Sequence, residues 1–191
     1  MTDETDADTA TDTADDAPTD DPRWTELLED AAAIAAEYGD DGWDTVVLEP
    51  AGIDAVPREG NERGGLEAIV SETEHGLLEA LVERDDVTVD EAEVYYRPSE
   101  GDDRRFALAV ERDTESGIAV CLPLTYRLTE AETNAVFETA LADGELLVHV
   151  RSRDAAADAD QRVTFSHDDP LLFLEDADVQ ANGETGAEGD A

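Results

Sequence analysis

Acidic side chains outnumber basic ones so widely in this chain that their mutual repulsion constrains every compact structure it can form. The sequence holds 52 acidic residues against 12 basic ones, and its formal net charge is -40. All 12 basic residues are arginine. At ordinary ionic strength such a charge destabilises a compact state, whereas in molar salt the Debye length falls to about 3 Å. The composition therefore favours a salt-adapted, halophilic protein over an acidic surface shaped for a basic partner or for nucleic-acid mimicry, because the acids are spread along the whole chain.

The same sequence predicts a soluble protein of the cytoplasm. Its single cysteine, Cys121, cannot form an intramolecular disulfide. The opening stretch MTDETDADTATD has neither the basic region nor the apolar run of a secretory signal. No apolar run approaches the roughly 20 residues that a membrane-spanning helix needs.

Both ends of the chain are predicted to be disordered acidic tails. Residues 1–21 carry nine acidic residues and residues 175–191 carry six, and neither segment holds a basic residue. Such segments cannot bury enough apolar surface to offset the entropy lost on ordering. Residues 22–174 are then expected to form a single domain, which is long enough to bury roughly two-thirds of its unfolded surface.

The first half of this domain predicts two helices and two strands. A helix begins after Asp21 with a proline in its first turn and ends near Gly39. Strands are predicted over residues 43–48 and 66–70, with a loop over residues 50–64 that has a brief extended piece at 53–56. A second helix, over residues 74–84, takes its cap from Ser71 or Thr73.

The second half shows clearer alternation of apolar and polar residues. Three strands, over residues 94–97, 104–112 and 117–126, are joined by two short turns. A third helix opens with a capping box at Thr129 and Glu132 and ends at Gly144. Two last strands span residues 146–151 and 162–166. The order α-β-β-α-β-β-β-α-β-β predicts an α+β fold, with a mainly antiparallel sheet and about three helices on one face.

Three stretches carry a resemblance to known proteins: WTELLEDAAAIAAEYGDDGWD near the start, GIAVCLPLTYRL in the centre and VTFSHDDP near the end. On these, residues 22–174 resemble a set of small acidic haloarchaeal proteins grouped as a domain of unknown function. That resemblance implies no site residues. In addition, the order of elements over residues 74–174 is similar to the type III secretion chaperone-like fold, whose members mostly bind proteins.

Several chemistries lack the residues that they require. A P-loop needs a lysine, and a nucleophile elbow needs a GxSxG stretch; both are missing from the sequence. Paired-cysteine zinc sites are excluded by the single cysteine. The segment Glu111-Arg112-Asp113 comes nearest to a carboxylate-and-lysine nuclease motif, but again without the lysine. We therefore predict no cofactor and no metal.

Basic clusters are too short to predict a nucleic-acid surface. The candidates are Arg104-Arg105 and the segment Arg151-Ser152-Arg153, and each lies in an acidic part of the sequence. Binding to phosphates needs a net positive local charge. We expect a protein partner or a homo-oligomer, and neither nucleic acid nor a membrane.

The remaining candidates for a site are one thiol and three imidazoles. His75 falls among glutamates in the first turn of a helix and is expected on the surface. His149 alternates with valines on a strand, and Cys121 has the setting of a small buried thiol. His167 lies in FSHDDP, where Ser166, two aspartates and the histidine stand together; we interpret this stretch as a strand end followed by a turn, closed by Pro170.

A competent core without a recognisable catalytic constellation favours a non-catalytic module that binds another protein or associates with itself. The alternative is a small enzyme with a site around Cys121, His149 and His167. It requires that the three side chains converge on one concave pocket.

Overall fold

In the computed structural model, the described residues are 15–17, 20–59, 63–84, 87–97, 104–155 and 161–174. They contain nine strands, three helices and a final 3-10 helix. The third helix, α3, covers residues 130–143 and has a π-helical centre, Asn134–Glu138, between α-helical Glu130–Thr133 and Thr139–Asp143. The elements are β1 Asp15–Asp16, α1 Pro22–Asp40, β2 Asp44–Val47, β3 Gly52–Val56, β4 Gly65–Val70, α2 Glu72–Val82, β5 Glu91–Arg97, β6 Arg105–Asp113, β7 Ile118–Tyr126, α3, β8 Leu146–Ser152, β9 Val163–His167 and the 3-10 helix Pro170–Phe173.

The strands form two mixed sheets rather than the single sheet that the sequence predicted. The first sheet, sheet A, has the order β1-β3-β4-β8-β9, and the second, sheet B, has the order β2-β7-β6-β5. The β2–β7 and β4–β8 pairs are parallel and the other pairs are antiparallel. The α+β class, the mainly antiparallel pairing and the approximate order of elements are confirmed.

Two apolar clusters, one on each face of sheet B, explain why the strands form two sheets rather than one. The inward residues of β6 and β7, such as Ala107, Ala109 and Val120, pack with Leu66 and Val148 of sheet A in the core between the sheets. Helices α2 and α3 add further side chains to that core. The small side chains of Ala107 and Ala109 allow the two sheets to approach closely.

Helix α1 covers the other face of sheet B. Its Trp24, Leu27 and Ala31 form a second apolar cluster with alternate residues of β6 and with Cys121 of β7. Strands β6 and β7 are therefore buried on both faces, which their alternation of large and small apolar residues allows. The sandwich thus has three layers: α1, sheet B and sheet A.

The helices start at caps that the sequence predicted, although α2 spans Glu72–Val82 rather than 74–84 and α1 runs past Gly39 to Asp40. The Asp21 side chain accepts a hydrogen bond from the backbone N–H of Arg23 at the start of α1. Capping boxes open α2 and α3, at Ser71 and Thr129 respectively. Gly144, with φ of 69°, ends α3 in the left-handed conformation that glycine adopts without strain. The π-helical centre of α3 had no sequence signal.

Two strands go beyond what the sequence predicted. Strand β3 lies in the predicted loop, where the expected brief extended piece is a full strand paired with β4. Strand β1 pairs with β3 and lies inside the segment 1–21 that was predicted to be disordered. Residues 1–14, 18–19 and 175–191 of the predicted tails lie outside the described residues. None of the described helices combines the length and the apolar character that a membrane-spanning segment requires.

Candidate functional site

The three candidate side chains of the enzyme alternative lie in three different places. Cys121 is fully buried between sheet B and α1, and burial raises the pKa of its thiol to about 11. His149 alternates with the core residues Val148 and Val150, so its ring lies on the opposite, outer face of sheet A. His167 has the same parity as Phe165 and lies between the sheets. The three side chains therefore do not converge.

His149 has a hydrogen-bonding partner at each ring nitrogen. Its Nε2 lies 3.2 Å from the Arg63 carbonyl oxygen and its Nδ1 lies 2.8 Å from Thr164 Oγ1. A carbonyl oxygen can only accept, so Nε2 carries a proton, and in the neutral ring Nδ1 then accepts from the Thr164 hydroxyl. Burial, and then the positive charge of Arg162, lower the pKa of this histidine. These contacts satisfy both nitrogens and give the ring a structural role.

Beside His149, Glu67 holds two arginines on the outer face of sheet A. Its carboxylate oxygens lie 2.6 Å from Arg151 Nε and 2.7 Å from Arg162 Nε. The three residues come from β4, β8 and the residue before β9, so the cluster ties three segments of sheet A together. Because Arg151 is bound to Glu67, the arginine cluster at 151–153 is not a free basic patch.

The other sequence candidates take structural places as well. Arg104 is buried and contacts the Thr125 hydroxyl at 3.5 Å, so it does not present a basic surface. His75, expected on the surface, is buried on the inner side of α2, with Nδ1 3.6 Å from the Glu79 carboxylate. The glutamates around His75 predicted a surface position, but a helix turn can expose them while burying the residue between them. Among the described residues, no group of three or more histidine, cysteine, aspartate or glutamate side chains could hold a metal ion.

Between the sheets, Glu111 of β6 meets His167 of β9. Glu111 Oε1 lies 3.0 Å from His167 Nε2, and the two residues are 1% and 3% exposed. The Phe173 ring packs edge-on against the imidazole, with ring centroids 4.8 Å apart. The pair thus joins the two sheets across the sandwich, at the end that the 3-10 helix covers.

Next to this pair, an open cleft of about 290 Å³ runs along β9. Glu111 lines it, together with valines at the end of α2 and in the segment before β5. Four consecutive residues of β9 also line it, from Val163 to Ser166. Successive side chains of a strand point to opposite faces of the sheet. A cleft that touches four consecutive residues therefore lies along the edge of the strand. The cleft therefore gives access to the β9 backbone. The lining residues are Val82, Val87, Val89, Asp90, Glu91, Glu111, Val163, Thr164, Phe165 and Ser166.

Stretch 165–170 matches its interpretation as a strand end and turn. Strand β9 ends at His167, and the Asp169 side chain accepts the backbone N–H of Leu171 at 3.1 Å to start the 3-10 helix. The Ser166 hydroxyl donates to Glu145 rather than to the neighbouring histidine. What the sequence missed is the partner of His167, because Glu111 lies on another strand and in the other sheet.

The chain belongs to a family of unknown function, DUF7529, whose model matches residues 10–175. Neither a curated protein nor a solved structure matches the chain. The similarity to the type III secretion chaperone-like fold stays a prediction.

Proposed function

We propose that the protein is a non-catalytic binding module that takes an extended segment of another protein as an added strand along β9. The observation that supports it is the open edge of β9 in the cleft. Within the described part of the chain, β9 pairs with β8 alone and is the last strand of sheet A. An edge strand presents unpaired N–H and C=O groups, which is the template for strand addition.

The surroundings of β9 favour a peptide over a second folded domain. The edge of β9 is recessed, because it faces the α2–β5 segment across the cleft. Val82, Val87 and Val89 form the apolar wall on that opposite side. A recessed edge admits a single extended chain more easily than the edge of a globular neighbour. Alternate side chains of such a chain would reach the apolar wall while its backbone pairs with β9.

Charge favours a partner other than a second copy of this chain. Pairing two copies at this edge would bring the acidic linings of both clefts together, and charges that are partly buried are screened by salt much less than exposed ones. We therefore prefer a foreign segment to the self-association that the sequence also allowed. The alternative of a small enzyme required Cys121, His149 and His167 to converge on one pocket, and the three side chains lie in different places.

Backbone pairing can be tested with peptides that differ only in their backbone hydrogen-bond donors. The probe is the capped heptapeptide Thr-Val-Thr-Arg-Thr-Val-Thr, titrated by calorimetry in molar KCl. Two further versions carry N-methyl groups on the odd-numbered or on the even-numbered residues. In an added strand only alternate N–H groups face the host strand. We expect one methylated set to abolish binding while the other preserves it.

Equal effects of the two methylated sets, or no binding of the parent peptide, would overturn the proposal. Amide protection of β9 by hydrogen exchange gives a second readout on the same samples. Protection should rise along β9 on peptide binding and stay unchanged in β1 at the far edge of sheet A.

We also infer that the protein works in molar salt in the cytoplasm of a halophilic archaeon. Support comes from the net charge and from the use of arginine as the sole cationic side chain. Screening of acid–acid repulsion should raise the free energy of unfolding as KCl rises from sub-molar to molar. A stability that stays flat or falls over this range would contradict the inference.

A further inference from the structure

The cleft beside β9 has a consistent charge as well as an apolar wall. Three acidic residues line it, Asp90, Glu91 and Glu111, and none of its described lining residues is basic. Asp90 and Glu91 are exposed at the rim, whereas Glu111 is 1% exposed at the floor. Exposed acidic residues are common in this protein and therefore say little about a ligand. A buried acidic residue is more informative about one.

Glu111 is incompletely paired for a buried carboxylate. Its Oε1 lies 3.0 Å from His167 Nε2, yet neither this oxygen nor either ring nitrogen of His167 completes a hydrogen bond with suitable geometry to a described group. Burying a charge without full hydrogen bonding is unfavourable. A ligand that brings a directed donor to Glu111 would remove that penalty.

Parity places Glu111 and the valine wall on the same side of an added strand. Glu111 points between the sheets, like Ala107 and Ala109 of the same strand, and Val82, Val87 and Val89 pack against the same inter-sheet core. Side chains on one side of an extended segment are two residues apart. One such side chain can reach Glu111 while its neighbours two positions away contact the valines.

We infer, on the basis of the proposed strand addition, that the partner segment carries a cationic side chain directed at Glu111, with apolar residues two positions before and after it. Arginine fits this position better than lysine, because its planar guanidinium forms two parallel bonds to a carboxylate and is less strongly hydrated. The cleft thus selects an apolar-x-Arg-x-apolar segment.

The experiment compares the arginine heptapeptide with the same peptide carrying citrulline, which has the same shape and no charge. Calorimetry in molar KCl should show roughly 10- to 100-fold tighter binding of the arginine peptide, the range for a charge-assisted bond to a buried carboxylate. Glu111→Gln should bring the two peptides to within about two-fold of each other. Asp90→Asn, which removes the same charge from the rim, should leave the ratio unchanged.

The outcomes separate this inference from the proposal beneath it. Equal binding of arginine and citrulline peptides to the native protein, with the alternate N-methyl pattern intact, would overturn the arginine selection and leave strand addition standing. Failure of every peptide to bind would overturn both. The comparison of peptides on the native protein remains informative even if Glu111→Gln does not fold.

Discussion

Replacement of Glu67 by alanine should be among the most destabilising single changes on the outer face of sheet A. Glu67 is 4% exposed, in the all-buried strand β4, and its two oxygens each meet an arginine Nε at 2.6 and 2.7 Å. Its removal would leave Arg151 and Arg162, themselves mostly buried, without their shared carboxylate. The lost interaction also joins β4 to β8 and to the start of β9.

The magnitude follows from the two contacts. Arg151 Nε donates a hydrogen bond to Glu67, and a hydrogen bond to a charged group contributes about 1.5–3 kcal/mol; Arg162 adds an ion-pair contact to the other carboxylate oxygen. Removal of one partner from a buried ion pair costs about 3–5 kcal/mol. The arginine side chains keep 14% and 12% of their exposure, so water can partly solvate them. We therefore expect a loss near the lower end, about 3 kcal/mol.

Urea unfolding at constant molar KCl measures this loss directly as a change in midpoint at constant slope. Glu29→Gln, an exposed glutamate on α1, removes a charge from the surface and should change stability by at most about 0.5 kcal/mol. Arg151→Met leaves Arg162 on the carboxylate and should cost about half as much as Glu67→Ala. A loss below about 1 kcal/mol for Glu67→Ala would refute the reasoning, since the carboxylate would then contribute no more than a surface pair.

Three further predictions concern glycine, thiol and imidazole. Gly76→Ala should stabilise the protein by about 0.4–1 kcal/mol in urea unfolding, because a Cβ there meets nothing within 4 Å. Gly65→Ala should instead destabilise it strongly, because its Cβ would lie 2.2 Å from the Leu147 carbonyl oxygen. Equal effects of the two substitutions would contradict this contrast. The Cys121 thiol should resist a disulfide reagent at neutral pH until the protein is unfolded, and rapid labelling of the native protein would disprove its burial. NMR titration of His149 should give a pKa below the ordinary value of about 6.5. The stability that the neutral ring contributes is then complete above pH ~6.5 and is lost as pH falls toward the lowered value. A pKa of about 6.5 would remove this pH dependence, a higher pKa would reverse it, and either result would contradict the prediction.

Local elements could be predicted from the sequence because their signals are local. Caps at Asp21, Ser71 and Thr129 fix helix starts within one or two residues, and the alternation in β6 and β7 identifies strands at once. The division into two sheets is not local information. It depends on which face of β6 meets α1 and which meets sheet A, and both faces are apolar, so alternation alone cannot assign them.

The candidate site was harder still, because its parts come from distant segments. His167 could be singled out as a titratable group at a strand end, but nothing near it in sequence points to Glu111. Glu67 did carry a signal: a lone carboxylate within the apolar run GLEAIV must find a partner if that strand is buried. His75 shows the reverse error, in which a polar neighbourhood in sequence hides a buried position in space.

The two parallel pairs, β2 with β7 and β4 with β8, have a consequence for the time course of folding. Each joins strands from opposite halves of the chain, so a long loop must close before either pair forms. The β5–β6–β7 meander needs only short turns, and we expect it to form first, with sheet A completed only after β8 is available. On the ribosome, the hairpin of β3 and β4 would therefore lack its β8 partner until most of the chain is made. Pulsed hydrogen exchange during refolding would test this order, and protection of β4 before β6 would contradict it.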